Sequence, residues 1–177
     1  KAVKDSWLAS DEVKQHFHLT TYTPQNIQLE SKPHQLYKAR KEISLFDMES
    51  GGENHADGKW LGFQGTDFSA SLFFDEPVQL NTLALSIKQD YNQHIYPPEY
   101  LEVWGGVDSV NLKLLGNIHL ILDKAEQMQK KKLINYRIAN QPLRVIRLKT
   151  KHYKTIPDGF PGGGSSPWLF VDEIILN

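Results

Sequence analysis

The last ten residues, WLFVDEIILN from Trp168 to Asn177, constrain the fold of this chain more than any other segment. Trp168, Leu169, Phe170, Val171, Ile174, Ile175 and Leu176 are apolar on both strand parities. That is the pattern of a strand covered on both faces. Two adjacent carboxylates, Asp172 and Glu173, stand in its middle. Alternation directs them to opposite faces, so at least one is aimed at apolar surroundings. A carboxylate there costs several kcal/mol unless it is paired, hydrogen-bonded or bound to a cation.

Elsewhere the dominant period is two. Phe68, Ala70, Leu72 and Phe74 alternate with polar or small neighbours, as do Leu83, Leu85 and Ile87. Leu101 and Val103 flank Glu102, Leu112 and Leu114 flank Lys113, and Ile118, Leu120 and Leu122 follow Gly116. Ile146 and Leu148 alternate with Arg147 and Lys149. These are strands covered on one face. Separated by turn signals at Asp75-Glu76-Pro77, Pro97-Pro98 and Gly105-Gly106, they predict an all-β sandwich. Its expected core includes Leu72, Phe74, Leu83, Leu85, Val103, Leu148, Phe170 and Ile174. The stretch from Val13 to Tyr22, with Phe17 and Leu19, is also strand-like, and residues 4–15 have room for a short helix. The charge run Lys124 to Lys132 reads as a solvated loop or short helical turn; a patch for nucleic acid or acidic glycan is its sharper alternative. Pro157 to Pro167 is rich in glycine and proline, and reads as a connection or a binding loop ahead of the final strand.

A chain of 177 residues is one domain's worth, and a net charge of −1 gives no global field to attract nucleic acid or anionic lipid. No apolar run reaches the ~18 residues of a membrane-spanning helix, and no signal peptide is visible. The abrupt start at Lys1 fits removal of a leader or of another domain. The absence of cysteine removes disulfides, thiolate catalysis and thiolate metal sites. HExxH, GxSxG, Walker and GxGxxG motifs are all missing. A small sandwich with no catalytic motif favours binding over turnover. A hydrolase would need two carboxylates facing each other in a cleft, a pairing made in space.

The segment GKWLGFQGTDF, Gly58 to Phe68, places three glycines among Trp60 and Phe63, as in a tight loop packing its own aromatics before a strand. This segment, with WLFVDEI near the chain end, resembles the galactose-binding-like domain, also called discoidin-like or coagulation factor five/eight type C. The nearest branch is that of bacterial chitobiase and β-hexosaminidase accessory regions. IYPPEYLEVWGGVDS (Ile95 to Ser109) is similar to that family's turn, strand and tight turn, and LYKARKEISLFDMESGG (Leu36 to Gly52) to one of its loops. The resemblance spans residues 13–177, with residues 1–12 as an N-terminal extension. It implies a jelly-roll β-sandwich in an extracellular, periplasmic or cell-surface protein. The function implied is a non-catalytic carbohydrate-binding or adhesion module, joined to a larger bacterial glycan-processing protein. The alternative is a structural or protein-interaction domain without a glycan site, which would show an exposed apolar patch instead.

Two sites follow. Calcium takes six to eight oxygens, many of them loop carbonyls, and the loop SLFDMESGGENHADG offers Asp47, Glu49, Ser50, Asn54 and Asp57. The resemblance implies Asp47 and Glu173 as the carboxylate ligands of a structural calcium. Met48 stands where family members have glycine, and tolerates positive φ poorly, which puts that loop's path in question. For a sugar, an aromatic ring must face pyranose C–H groups while polar side chains take the hydroxyls. The expected group is His55, Tyr91, Asn92, His94, Tyr96, Tyr153 and Phe160, with His152 nearby in sequence. Tyr91 and Tyr96 have a competing reading as packing residues. Trp60, Trp104 and Trp168 sit in strand contexts and read as core.

Overall fold

The computed structural model describes Lys4 and residues 19–125, 130–139 and 141–177. The expectations of an extension at 1–12, a helix at 4–15 and a strand beginning at Val13 lie, Lys4 apart, outside the described residues up to 18. Leu19 is exposed and Tyr22 packs against the core without joining a strand.

Among the described residues nine strands build two sheets: β1 (Asn26–Leu29), β2 (Leu61–Gln64), β3 (Ser69–Val78), β4 (Thr82–Gln89), β5 (Tyr100–Gly106), β6 (Lys113–His119), β7 (Lys130–Arg137), β8 (Leu143–Lys151) and β9 (Trp168–Leu176). One sheet runs β1-β3-β8-β5-β6 and the other β2-β9-β4-β7, with antiparallel neighbours throughout. Short 3-10 turns occupy Lys41–Leu45 and Tyr91–Gln93. No helix among the described residues is long and apolar enough to cross a membrane. The alternating residues of the two sheets meet face to face, as expected of an all-β sandwich. Leu72, Phe74, Leu83, Leu85, Val103, Leu148 and Ile174 all lie in the main core.

Strand β9 is central in its sheet and covered on both sides, as its double-parity pattern requires. Its register against β4 slips in the middle. Leu85 pairs with Ile174 and Ile87 with Val171, so Ser86 alone faces both Asp172 and Glu173. Two residues opposing one is a β-bulge, and it changes the strand's parity. Leu169 and Val171 face the core before it, Ile174 and Leu176 after it. Strict alternation of the two carboxylates is therefore wrong: the bulge brings both to the one loop that follows Leu45. Phe170 is buried as expected, but in a second cluster with Trp60 and Ile95 on the outer side of the sheet.

Other boundaries differ from the sequence reading for local reasons. Asp75-Glu76-Pro77 is not a turn but lies inside β3, where the pairing with β8 slips between Phe73 and Val78. Gly105 and Gly106 close β5 and pair with Ile146 and Val145. Lys130, Lys131 and Lys132 are not loop: they open β7 opposite Gln89, Lys88 and Ile87. GKWLGFQG contains the edge strand β2, paired with β9.

Candidate functional site

The loop after the first 3-10 turn crosses the bulge. Asp172 is fully buried; its Oδ2 accepts from the Gly51 N–H at 2.8 Å and from Lys131 Nζ at 2.9 Å. Ser50 takes the same Lys131 ammonium. Glu173 is buried and makes no ion pair with a described residue. Burial first, then a hydrogen bond shared with Asp47 and the negative charge of Asp47, push its carboxyl up to about 9, which the nearby Lys131 charge only partly offsets. Asp47 also takes Arg40 and accepts from the Glu49 N–H at 2.9 Å, closing a turn. The loop takes the left-handed path despite its side chain: Met48 has φ 58°. Such a conformation costs ~1–3 kcal/mol for a residue with a Cβ.

Three buried oxygens here find no hydrogen-bond partner: Asp172 Oδ1, Glu173 Oε1 and Ser86 Oγ. Unsatisfied acceptors beside a carboxyl pair are what a cation would relieve, so Asp47 and Glu173 fit calcium. The other loop oxygens are committed elsewhere. Asn54 closes a turn on Ala56, Asp57 binds the N–H groups of Gly52 and Lys59, and Glu49 lies between Arg40 and Lys59. Among the described residues no three His, Asp or Glu side chains are arranged to hold a metal. The cation would thus rest on two carboxylates and loop carbonyls.

A second arrangement lies where the same loop meets the start of β9. Residues 34–38 run along the edge of β2: the His34 N–H donates to the Gly62 carbonyl and the Gly62 N–H to the Tyr37 carbonyl, both at 2.8 Å. A Cβ on Gly62 would stand 2.7 Å from Tyr37 Cβ, so only glycine admits this approach. His34 and Tyr37 thereby stand beside Trp168. Their rings meet the indole edge to face, with centroids 5.1 and 5.2 Å away and interplanar angles of 83° and 86°. His55 closes the group, 5.5 Å from Tyr37 and 5.4 Å from Phe170. Trp168, Tyr37 and His55 are half-buried and His34 is exposed, over a floor of buried Phe170 and Trp60.

Polar groups converge on the same corner. Lys88 is 2% exposed; its ammonium donates to the Glu53 carbonyl and lies 5.6 Å from the Trp60 ring. Burial lowers its pKa against the pull of Asp90, Asp57, Glu53 and Asp172. Burial also holds His55 below its usual range, with Lys88 adding to the effect, so its ring is neutral near pH 7. A neutral imidazole offers one donor and one acceptor. The corner thus presents ring surface for C–H groups beside hydrogen-bonding side chains.

Of the residues expected in a sugar group, His55 alone joins this corner. Tyr91 and Tyr96 are buried and stacked on each other, 4.5 Å apart and 10° from parallel, with Phe160 edge-on at 5.6 and 6.2 Å. Neither tyrosine offers a ring face to solvent. The Tyr96 hydroxyl donates to the Pro161 carbonyl at 2.8 Å, and burial pushes it up to about 12. These rings pack together under the glycine-rich loop. Asn92 is exposed on the 3-10 turn, and His94, at φ 57°, packs against Gly162. Tyr153 is half-buried near Glu99, and His152 is buried. Trp60 is core, as expected, but Trp168 is not fully so. His34 and Tyr37 had no periodic pattern to mark them; Tyr37 lies in a segment whose place beside β9 only pairing sets.

No family model matches the chain, nor does any curated protein. Solved structures do share its fold. A GH31 CBM32-2 module bound to GalNAc superposes with a TM-score of 0.54 at 12% identity, over 85% of this chain and 96% of that one. Chitosan-binding module 1 of a chitosanase/glucanase from Paenibacillus sp. IK-5 gives 0.54 at 11% identity, over 90% and 99%. A truncated AlyQ chain with CBM32 and alginate lyase domains gives 0.53 at 11% identity; 88% of this chain matches, spanning 32% of that longer one. The fold is thus a β-sandwich shared with these solved carbohydrate-binding modules.

Proposed function

We propose that this chain is a non-catalytic carbohydrate-binding or adhesion module of an exported bacterial glycan-processing protein, with its site at the Trp168 corner. The observation that carries the reading is the half-exposed ring group His34, Tyr37, His55 and Trp168 beside Lys88 and Asp90. Indole and phenol faces suit pyranose C–H groups, and the imidazoles suit hydroxyls. Modules of the same fold bound to GalNAc or named for chitosan binding support the ligand class. Against turnover stands the burial of the carboxyl pair that meets at the bulge. Asp47 and Glu173 are 11% and 2% exposed, closed under a loop and open to no cleft.

One ring corner with exchanged hydrogen bonds leaves ~4–6 kcal/mol net, a Kd of about 10⁻³ to 10⁻⁴ M. Ligand-observed NMR against galactose, GalNAc, N-acetylglucosamine and their oligomers is the test, with Trp168→Ala and Tyr37→Ala expected to abolish binding in a still-folded protein. If no sugar binds at millimolar concentration, the protein-interaction reading replaces this one. A specific feature favours that second reading: Val107, Val110, Leu114 and Ile121 are exposed along and beside edge strand β6.

Calcium belongs to the same proposal. Asp47, Glu173 and carbonyls of the 43–52 loop would hold it, and its charge would satisfy the buried carboxyl oxygens at the bulge.

A further inference from the structure

A separate recess lies where β1 leads into the first 3-10 turn. Its volume is about 430 Å³, within the range of small-ligand pockets. Glu30, Lys32, Gln35, Lys38, Lys41 and Glu42 supply its charged and polar walls. The turn that brings Lys38 and Lys41 together closes with a 2.7 Å hydrogen bond from the Lys41 N–H to the Lys38 carbonyl. It holds two residues with side chains in the left-handed region, Ala39 at φ 37° and Lys41 at φ 56°. That conformation is sterically unfavourable for both.

The charges in this recess do not cancel. Lys32, Lys38 and Lys41 make no ion pair with any described residue. Glu30 is already satisfied: it accepts from the hydroxyls of Ser69 and Ser71 at 2.6 Å each and from Arg147 Nε at 2.9 Å. Three lysines therefore line the recess with one carboxylate, Glu42, that makes no ion pair with a described residue, in a chain whose overall charge is −1. Ser31 and Gln35 add hydrogen-bonding groups, and Leu29 and Pro33 add small apolar surfaces. No aromatic ring lines the recess, so it has no platform for a nucleobase. We propose that it binds the carboxylate or sulfate group of an anionic saccharide, held by charge and hydrogen bonds with no ring platform; that the ligand is a saccharide rests on the function proposed above. Lysines act as point charges and serve either group. This site does not rest on the Trp168 corner: the two are built from different side chains.

The test is amide NMR of the labelled chain titrated with a galacturonic acid oligomer, a sulfated galactose oligomer and a neutral galactose oligomer. The amides of residues 29–42 should shift with an anionic oligomer, and the response to each distinguishes carboxylate from sulfate. Binding should weaken with added salt, since these lysines are exposed. Lys32→Gln, Lys38→Gln and Lys41→Gln combined should weaken it roughly tenfold. Glu42→Gln alone should tighten it a few-fold, an effect that no loss of structure imitates. Equal response to the neutral oligomer, no shift at 29–42, or unchanged binding in both variants overturns the proposal. An anionic oligomer that moves only the amides around Trp168 also overturns it, while leaving the corner site standing.

Discussion

At the scale of single residues, burial sets the charge states that matter. His152 is 2% exposed and neither ring nitrogen completes a hydrogen bond. Burial lowers its pKa to about 4, against the opposing pull of the Pro167 carbonyl and Asp67. In the unfolded chain its pKa is near 6.5. Between those values the unfolded chain binds the extra proton, so stability rises with pH through the window and is lost as pH falls from about 6.5 to about 4. The loss should approach ~3 kcal/mol. Urea denaturation across that window should show the slope in the wild type and a flatter one in His152→Gln; identical slopes would show that another group titrates. At the bulge the expectation concerns a metal. A cation bound only to the folded state stabilises by ~2.7 kcal/mol at a hundredfold excess over its Kd. Chelator should therefore lower the melting temperature of the wild type but not of Asp47→Ala. A wild-type melt indifferent to chelator and to added calcium removes the ion from this loop.

At the scale of elements, the bulge in β9 and the loop above it act together. The loop lies so close that Gly51 leaves no room for a side chain: a Cβ there would stand 2.3 Å from Trp60 Cε2. Trp60 in turn donates to the Gly52 carbonyl at 3.2 Å, and Lys88 donates to the next carbonyl along. Gly51→Ala should cost ~1–3 kcal/mol through overpacking and shift the emission of Trp60, measured in a variant that keeps that tryptophan alone. An unchanged stability and spectrum would mean that the loop yields freely. The sequence marked this region by its oxygen-rich composition and by its likeness to a family loop. The role of Gly51 was not legible, because the indole it must admit belongs to the strand that follows. Met48 shows the opposite case, where an unfavourable residue still takes the left-handed φ that the loop path requires.

At the scale of the molecule, one main core among the described residues holds the sheets together and two smaller clusters shape the loop end. Phe74 belongs to the first, and Tyr91, Tyr96 and Ile156 to a cluster under the glycine-rich loop. Phe74→Ala should lower global stability by ~3–5 kcal/mol in denaturant. Tyr96→Ala should also expose the amides of residues 156–165 to hydrogen exchange, because that loop is tied by the Tyr96 hydroxyl and the Phe160 contacts. A Phe74→Ala loss under ~1 kcal/mol would contradict the place of this ring in the sheet interface.

The sequence by itself determined the class of fold, the central place of β9, and the pairing of apolar faces. Those follow from a two-residue period and a run apolar on both parities, which are properties of the chain read locally. It also marked Asp172 and Glu173, because a carboxylate inside an apolar strand needs an explanation wherever it folds; Asp47 was marked as the partner of Glu173 only by the family resemblance. What only the tertiary structure decided was which rings are closed and which are open. Tyr91 and Tyr96, the most sugar-like pair in the sequence, found each other and Phe160; Trp168, read as core, kept a half-open face because it begins its strand at the rim. Strand ends, bulges and edge pairings fix such exposures. They depend on register between segments more than a hundred residues apart, Tyr37 with Trp168 and Asp47 with Glu173 among them, and no local pattern encodes that register.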